Sequence, residues 1–126
     1  MTGYFSGIYK MNKERVIVMN GSRLLEKEDS QKQWKVEKVE QAGTLRAGIY
    51  NIYNAQDALK GKSTEGIIVH SDKDFVYQME AKNKFVKHST KSFESIPKIG
   101  TNVSIEYTNN GIAQSVVKGV SRSRGR

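Results

Sequence analysis

From Gly66 to Gly111 the chain runs in short stretches of β-branched and aromatic residues, cut every few positions by turn formers. That punctuation constrains the fold more than any other feature. Gly66-Ile-Ile-Val-His70, Phe75-Val-Tyr-Gln-Met79 and Lys84-Phe-Val-Lys-His88 are too short for helices, and branched or ring side chains suit a pleated surface. Ser71–Asp74 and Ala81–Asn83 separate them, with Asn83 expected in the left-handed conformation, so a three-strand meander is predicted. Ser89 or Thr90 caps a helical turn over Ser92–Ser95, which Pro97 and Gly100 end. Val103, Ile105 and Tyr107 then alternate with polar residues, and Asn110-Gly111 predicts a two-residue type I′ turn. Ile112, Gln114 and Val116 would return on the same face as Val103, Ile105 and Tyr107.

Three strands, a short helix and two strands follow the order of a small OB-like barrel, and SH3-like barrels arrange similar pieces differently. The expected fold is therefore mainly β: a β-rich extension over 1–46, an OB-like or SH3-like barrel over 47–118, and a basic flexible tail over 119–126. In the N-terminal half Tyr4–Met11, Arg15–Met19, Trp34–Val39 and Ile49–Tyr53 read as strands, and Asn20-Gly21 as a hairpin turn. Leu24–Gln33 reads as a charged helix or an ordered loop, and Asn54 as the cap of a short helix over Ala55–Leu59.

Composition narrows the function classes. No apolar run approaches the roughly 20 residues that cross a bilayer, and the absence of cysteine removes disulfides and thiolate metal sites. A reducing cytoplasm is expected. The net charge of +8 is concentrated at the end, where Arg122, Arg124 and Arg126 fall within a few positions of one another. Such a balance favours polyanions in a salt-dependent way that does not read sequence. Lys73, Lys82, Lys84, Lys87 and Lys91 cluster around the meander as candidate nucleic-acid contacts.

Simple alternation places Ile67, Val69, Val76 and Val86 on one face of the meander, and Ile68, Phe75, Tyr77, Met79, Phe85 and Lys87 on the other. Two readings of the aromatic face stand. Phe75, Tyr77 and Phe85 are a surface on which bases stack, or they are core covered by the N-terminal half. His70 and His88 fall at one end of the meander with a strand between them, too far apart to share a metal, and no metal or other cofactor is expected. Gly7-Ile-Tyr9 and Gly48-Ile-Tyr50 resemble the opening of GIY-YIG nucleases. The second tyrosine and the arginine of that family have no counterpart after Tyr50, so no enzyme is read.

One resemblance extends further. Ile49-Tyr-Asn-Ile-Tyr-Asn-Ala55, Gly66-Ile-Ile-Val69, Asp74-Phe-Val-Tyr-Gln78, His88 and Ile96-Pro-Lys-Ile-Gly-Thr-Asn-Val-Ser-Ile-Glu-Tyr107 with Gly111 resemble the KfrB-type domain over about residues 47–117. The resemblance implies a non-catalytic accessory module of a plasmid or other mobile element, acting in maintenance or conjugative transfer. It implies partners among nucleic acid or partition, relaxase and secretion proteins; an inhibitor of a host defence enzyme also fits such a setting. Gln78 and His88 recur in that pattern as polar residues on apolar strands, which need hydrogen-bond partners if buried. They are candidates for binding a partner, or for satisfying turn carbonyls.

Overall fold

The computed structural model describes residues 13–59 and 61–117. The expected strand at Tyr4–Met11, the triplet Gly7-Ile-Tyr9 and the tail arginines Arg122, Arg124 and Arg126 lie outside the described residues. The chain divides into two compact units at Tyr53/Asn54.

The first unit is an antiparallel sheet of β1 (Glu14–Met19), β2 (Ser22–Glu28), β3 (Trp34–Gln41) and β4 (Gly48–Tyr50), in the order β3-β2-β1-β4. Asn20 and Gly21 both take positive φ, 53° and 79°, so the Asn-Gly turn between β1 and β2 is the primed type whose twist matches the strands. Val16, Val18 and Tyr50 share the buried face of this sheet. Of the segment Leu24–Gln33, read as a charged helix or an ordered loop, Leu24–Glu28 is instead the second part of β2, paired with both β1 and β3, while Asp29–Gln33 is a loop in which Asp29 Oδ1 accepts from the Gln31 and Gln33 amides. A 3-10 turn at Ile52–Asn54 replaces the end of the strand expected over Ile49–Tyr53.

The second unit holds β5 (Gln56–Asp57), β6 (Thr64–Ser71), β7 (Phe75–Ala81), β8 (Lys84–Ser89), β9 (Asn102–Tyr107) and β10 (Ala113–Val117), in the order β10-β9-β6-β7-β8-β5. The meander is β6-β7-β8, and Asn83 takes φ 60° as its turn requires. Ser89 caps a 3-10 turn at Thr90–Ser92, its hydroxyl accepting from the Lys91 amide at 3.3 Å. The helix expected over Ala55–Leu59 is instead β5, a two-residue strand parallel to β8. Mainly β architecture is therefore observed, but the barrel is not closed among the described residues. β10 and β5 are the sheet's edges, and one isolated bridge between Phe93 and Ala113 links the segment after β8 to β10. A barrel needs a ladder there, and a single bridged residue does not make one.

Two local irregularities decide which side chains face inward. A bulge in β6 between Ile68 and His70 breaks the alternation, so Ile68 pairs with Gln78 while His70 pairs with Tyr77. Ile68, Val76, Gln78, Val86 and His88 consequently share the core face, and Ile67 joins Tyr77, Met79 and Phe85 on the other. The β9–β10 connection is also longer than the expected two residues. Thr108 pairs with Ile112 around Asn109-Asn110-Gly111, the Gly111 amide bonds Thr108 O at 2.9 Å, and only Gly111 is left-handed, at φ 82°. This is a three-residue turn, and the extra residue turns β10 over. Ala113, Ser115 and Val117 therefore align with Tyr107, Ile105 and Val103, and Val116 faces solvent. The core is Ile68, Val76, Val103, Ile105 and Ala113, with Phe93, Ile99 and Tyr107 packed against it.

Candidate functional site

Gln78 and His88 are buried polar residues within this core, 0% and 1% exposed. The Gln78 amide nitrogen donates to the carbonyls of Val103 at 3.0 Å and of Thr64 and Gly66 at 3.2 Å. Three carbonyl oxygens around that nitrogen fix the amide orientation, so Gln78 Oε1 faces His88 Nε2 at 2.9 Å and must accept from it. His88 Nδ1 is then the unprotonated ring nitrogen. Its contact with the Tyr107 hydroxyl, at 2.6 Å, must have the tyrosine as donor.

The result is one directed chain from Tyr107 through His88 and Gln78 to three strand carbonyls, tying β7, β8, β6 and β9 together. The His88 ring stacks on Tyr107 and meets Phe93 edge-on, with centroids 5.8 and 6.0 Å apart. Burial penalises its charged form and pushes its pKa down to about 4, so the imidazole is neutral near pH 7. Burial also raises the Tyr107 pKa, keeping the phenol protonated. Gln78 thus satisfies carbonyls of strands rather than of turns, while His88 bonds the side chains of Gln78 and Tyr107. Neither side chain presents itself to solvent.

At the Tyr107 end of this chain lies a cavity of about 150 Å³, lined by Asp57, Ala58, Phe75, Lys87, His88, Ser89, Ser92 and Tyr107. Lys87 Nζ stands over the Phe75 ring, 4.8 Å from its centroid, and 3.9 Å from Asp57 Oδ1. A larger open depression of about 760 Å³ between Gly61–Ser63 and Glu106–Gly111 is mostly turn backbone and holds none of the relay except Tyr107.

The five candidate lysines do not form one patch. Lys73 lies in the β6–β7 loop and Lys91 in the 3-10 turn, and these segments adjoin where Thr90 Oγ1 donates to Lys73 O at 2.7 Å. Lys87 lies on the neighbouring stretch of β8. Lys82 and Lys84 sit at the opposite end of β7, roughly 20 Å away at 3.3 Å per residue. Lys84 reaches Glu80 at 3.5 Å. Of the candidate stacking rings, Tyr77 and Phe85 are buried, at 9% and 3% exposure, and Phe75 is half-buried beneath Lys87. His70 and His88 point to opposite faces of the sheet, because His70 pairs with Tyr77 and His88 with Val76.

Sequence reasoning missed Tyr107 as a site residue, although it closes the spaced pattern that also contains Gln78 and His88. The signal was partial: Tyr107 falls within the same pattern as Gln78 and His88, and meets His88 through the strand register.

The family model described as KfrB Domain matches residues 63–117. Protein TraB of Escherichia coli is 34% identical over 97 residues, which are 75% of this chain and 65% of that protein. The chain therefore spans less than two thirds of that relative's length.

Proposed function

We propose that this chain is a non-catalytic accessory module of a plasmid or other mobile element that contacts DNA by charge, a reading supported by the match of residues 63–117 to the KfrB Domain model. The observation that supports the DNA reading is the placement of Lys73 in the β6–β7 loop and Lys91 in the 3-10 turn, segments joined where Thr90 Oγ1 bonds Lys73 O, in a chain of net charge +8. Lysines on mobile stems at loop ends attract phosphates without reading bases. The likeness to Protein TraB and the mobile-element setting that the KfrB resemblance implies support the accessory role. Arg122, Arg124 and Arg126 add a second basic element in the sequence.

A protein-interaction adaptor for a partition, relaxase or secretion partner is the second reading, favoured by the edge strand β10, where Val116 and Val117 are 61% and 46% exposed. Fluorescence anisotropy with single- and double-stranded DNA at low and physiological salt separates the two, using the whole chain and a form ending at Lys118. Steeply salt-dependent binding supports the DNA module. Failure to bind either DNA at low salt sinks it, and loss only in the shortened form moves the contact to the arginines.

A further inference from the structure

We infer that the cavity beside Tyr107 accepts one amino-bearing pyrimidine of single-stranded DNA, namely cytosine; the inference rests on the DNA reading above and gives it a base-recognising site. The direction of the buried relay decides what the cavity can accept. Gln78 is locked by the carbonyls of Thr64, Gly66 and Val103, so His88 must donate through Nε2 and Tyr107 must spend its only proton on His88 Nδ1. The Tyr107 oxygen is left with lone pairs alone. Whatever meets it in the cavity has to bring an N–H or O–H donor.

The other walls define the rest of the group. Phe75 and Ala58 are aromatic and apolar surface, which suits a planar ring. Ser89 and Ser92 carry hydroxyls; that of Ser89 already accepts from the Lys91 amide, leaving its proton to donate. A cavity of about 150 Å³ is well below the roughly 300 to 1,000 Å³ of ordinary ligand pockets, so one small ring is the upper limit. Lys87 at the wall and exposed Lys91 beside Ser92 are placed for the flanking phosphates. Cytosine offers an exocyclic amine for the Tyr107 oxygen and two adjacent acceptors for the serine hydroxyls. Thymine presents a carbonyl oxygen where cytosine has the amine, which sets lone pairs against lone pairs. A purine is too large.

The test is a competition between short oligo(dC) and oligo(dT) for the full chain at neutral pH and low salt, followed by anisotropy. A preference for oligo(dC) of about fivefold or more is expected, the ratio a single well-placed hydrogen bond supplies. In Tyr107→Phe that preference should fall to near unity, while salt-dependent binding to oligo(dT) persists. Amide shifts on adding free cytidine should centre on Ser89, Ser92 and Tyr107, with thymidine producing none there. Equal affinity for the two oligomers, or a preference unchanged in Tyr107→Phe, overturns the base site and leaves the charge-driven DNA reading standing. Absence of binding to either oligomer overturns the base site, and the same result with double-stranded DNA overturns the DNA reading as well.

Discussion

His88 Nε2 lies 2.9 Å from Gln78 Oε1 in the core of the second unit, and this contact makes two buried polar residues mutually dependent. Gln78 cannot be replaced by an apolar side chain of similar size without orphaning the His88 N–H and the carbonyls of Thr64, Gly66 and Val103. Gln78→Leu should therefore cost about 2 to 4 kcal/mol of stability in urea unfolding. Tyr107→Phe removes one hydrogen bond at the partly exposed end and should cost only about 1 kcal/mol. The reverse ranking would show that the relay is not anchored at Gln78.

The same burial gives stability a defined pH dependence. His88 has a folded pKa of about 4 against 6.5 unfolded, so between those values the unfolded chain binds a proton that the folded chain does not. Its contribution is fully present above the unfolded value and is lost as pH falls toward the folded one. Stability should drop by up to about 1.4 kcal/mol per pH unit across that window, after subtraction of the carboxylate background. The subtraction comes from His88→Gln, whose denaturant midpoint should vary less steeply between pH 6.5 and 4. Parallel profiles for the two proteins would mean that His88 is protonated in the fold.

Gly66 holds β6 against β7 more closely than any side chain allows. A Cβ built there runs into the Met79 carbonyl oxygen and carbon, which are backbone and cannot swing aside. Gly66→Ala should cost about 2 kcal/mol or more, because the strand pair must separate to admit one methyl group. The shift should be visible as faster hydrogen exchange in β6 and β7. Gly61 is exposed, and a methyl group added there would meet nothing within 4 Å, so it is the matched control and should tolerate alanine within about 0.5 kcal/mol.

How much of this was legible follows from the range of each determinant. The meander, the left-handed Asn83 and the Asn20-Gly21 hairpin depend on a few neighbouring residues, and the sequence displays them directly. The faces were not legible, because a bulge after Ile68 and one added residue in the β9–β10 turn are set by packing across strands. Each moves a whole run of side chains to the other side of the sheet. Gln78 and His88 stand out as polar residues on apolar strands, but their contacts depend on that register, and Tyr107 becomes part of the site only through it. Leu24–Gln33 reads as helix or loop because Leu24 and Leu25 are adjacent and Glu26, Lys27 and Glu28 follow one another, so the strand half of the segment shows no hydrophobic alternation.

The β9–β10 turn supplies the sharpest test of register. A two-residue turn at Asn110-Gly111 in the intact chain would pair Asn109 with Ile112, directing Gln114 and Val116 to the core face and removing Ala113 from beside Ile105 and Val103. A buried amide without partners and a valine where the core admits an alanine methyl together cost at least about 3 kcal/mol, so the three-residue turn wins. Deleting Asn110 leaves Asn109-Gly111 between Thr108 and Ile112, and the shortened loop closes as a two-residue primed turn with the strand pairing of the parent. Stability should stay within about 1 kcal/mol of the parent. Cross-strand contacts between Ala113 and Tyr107 in nuclear Overhauser spectra report the outcome directly. If the deletion variant lost those contacts, the turn and not the core would set the face of β10.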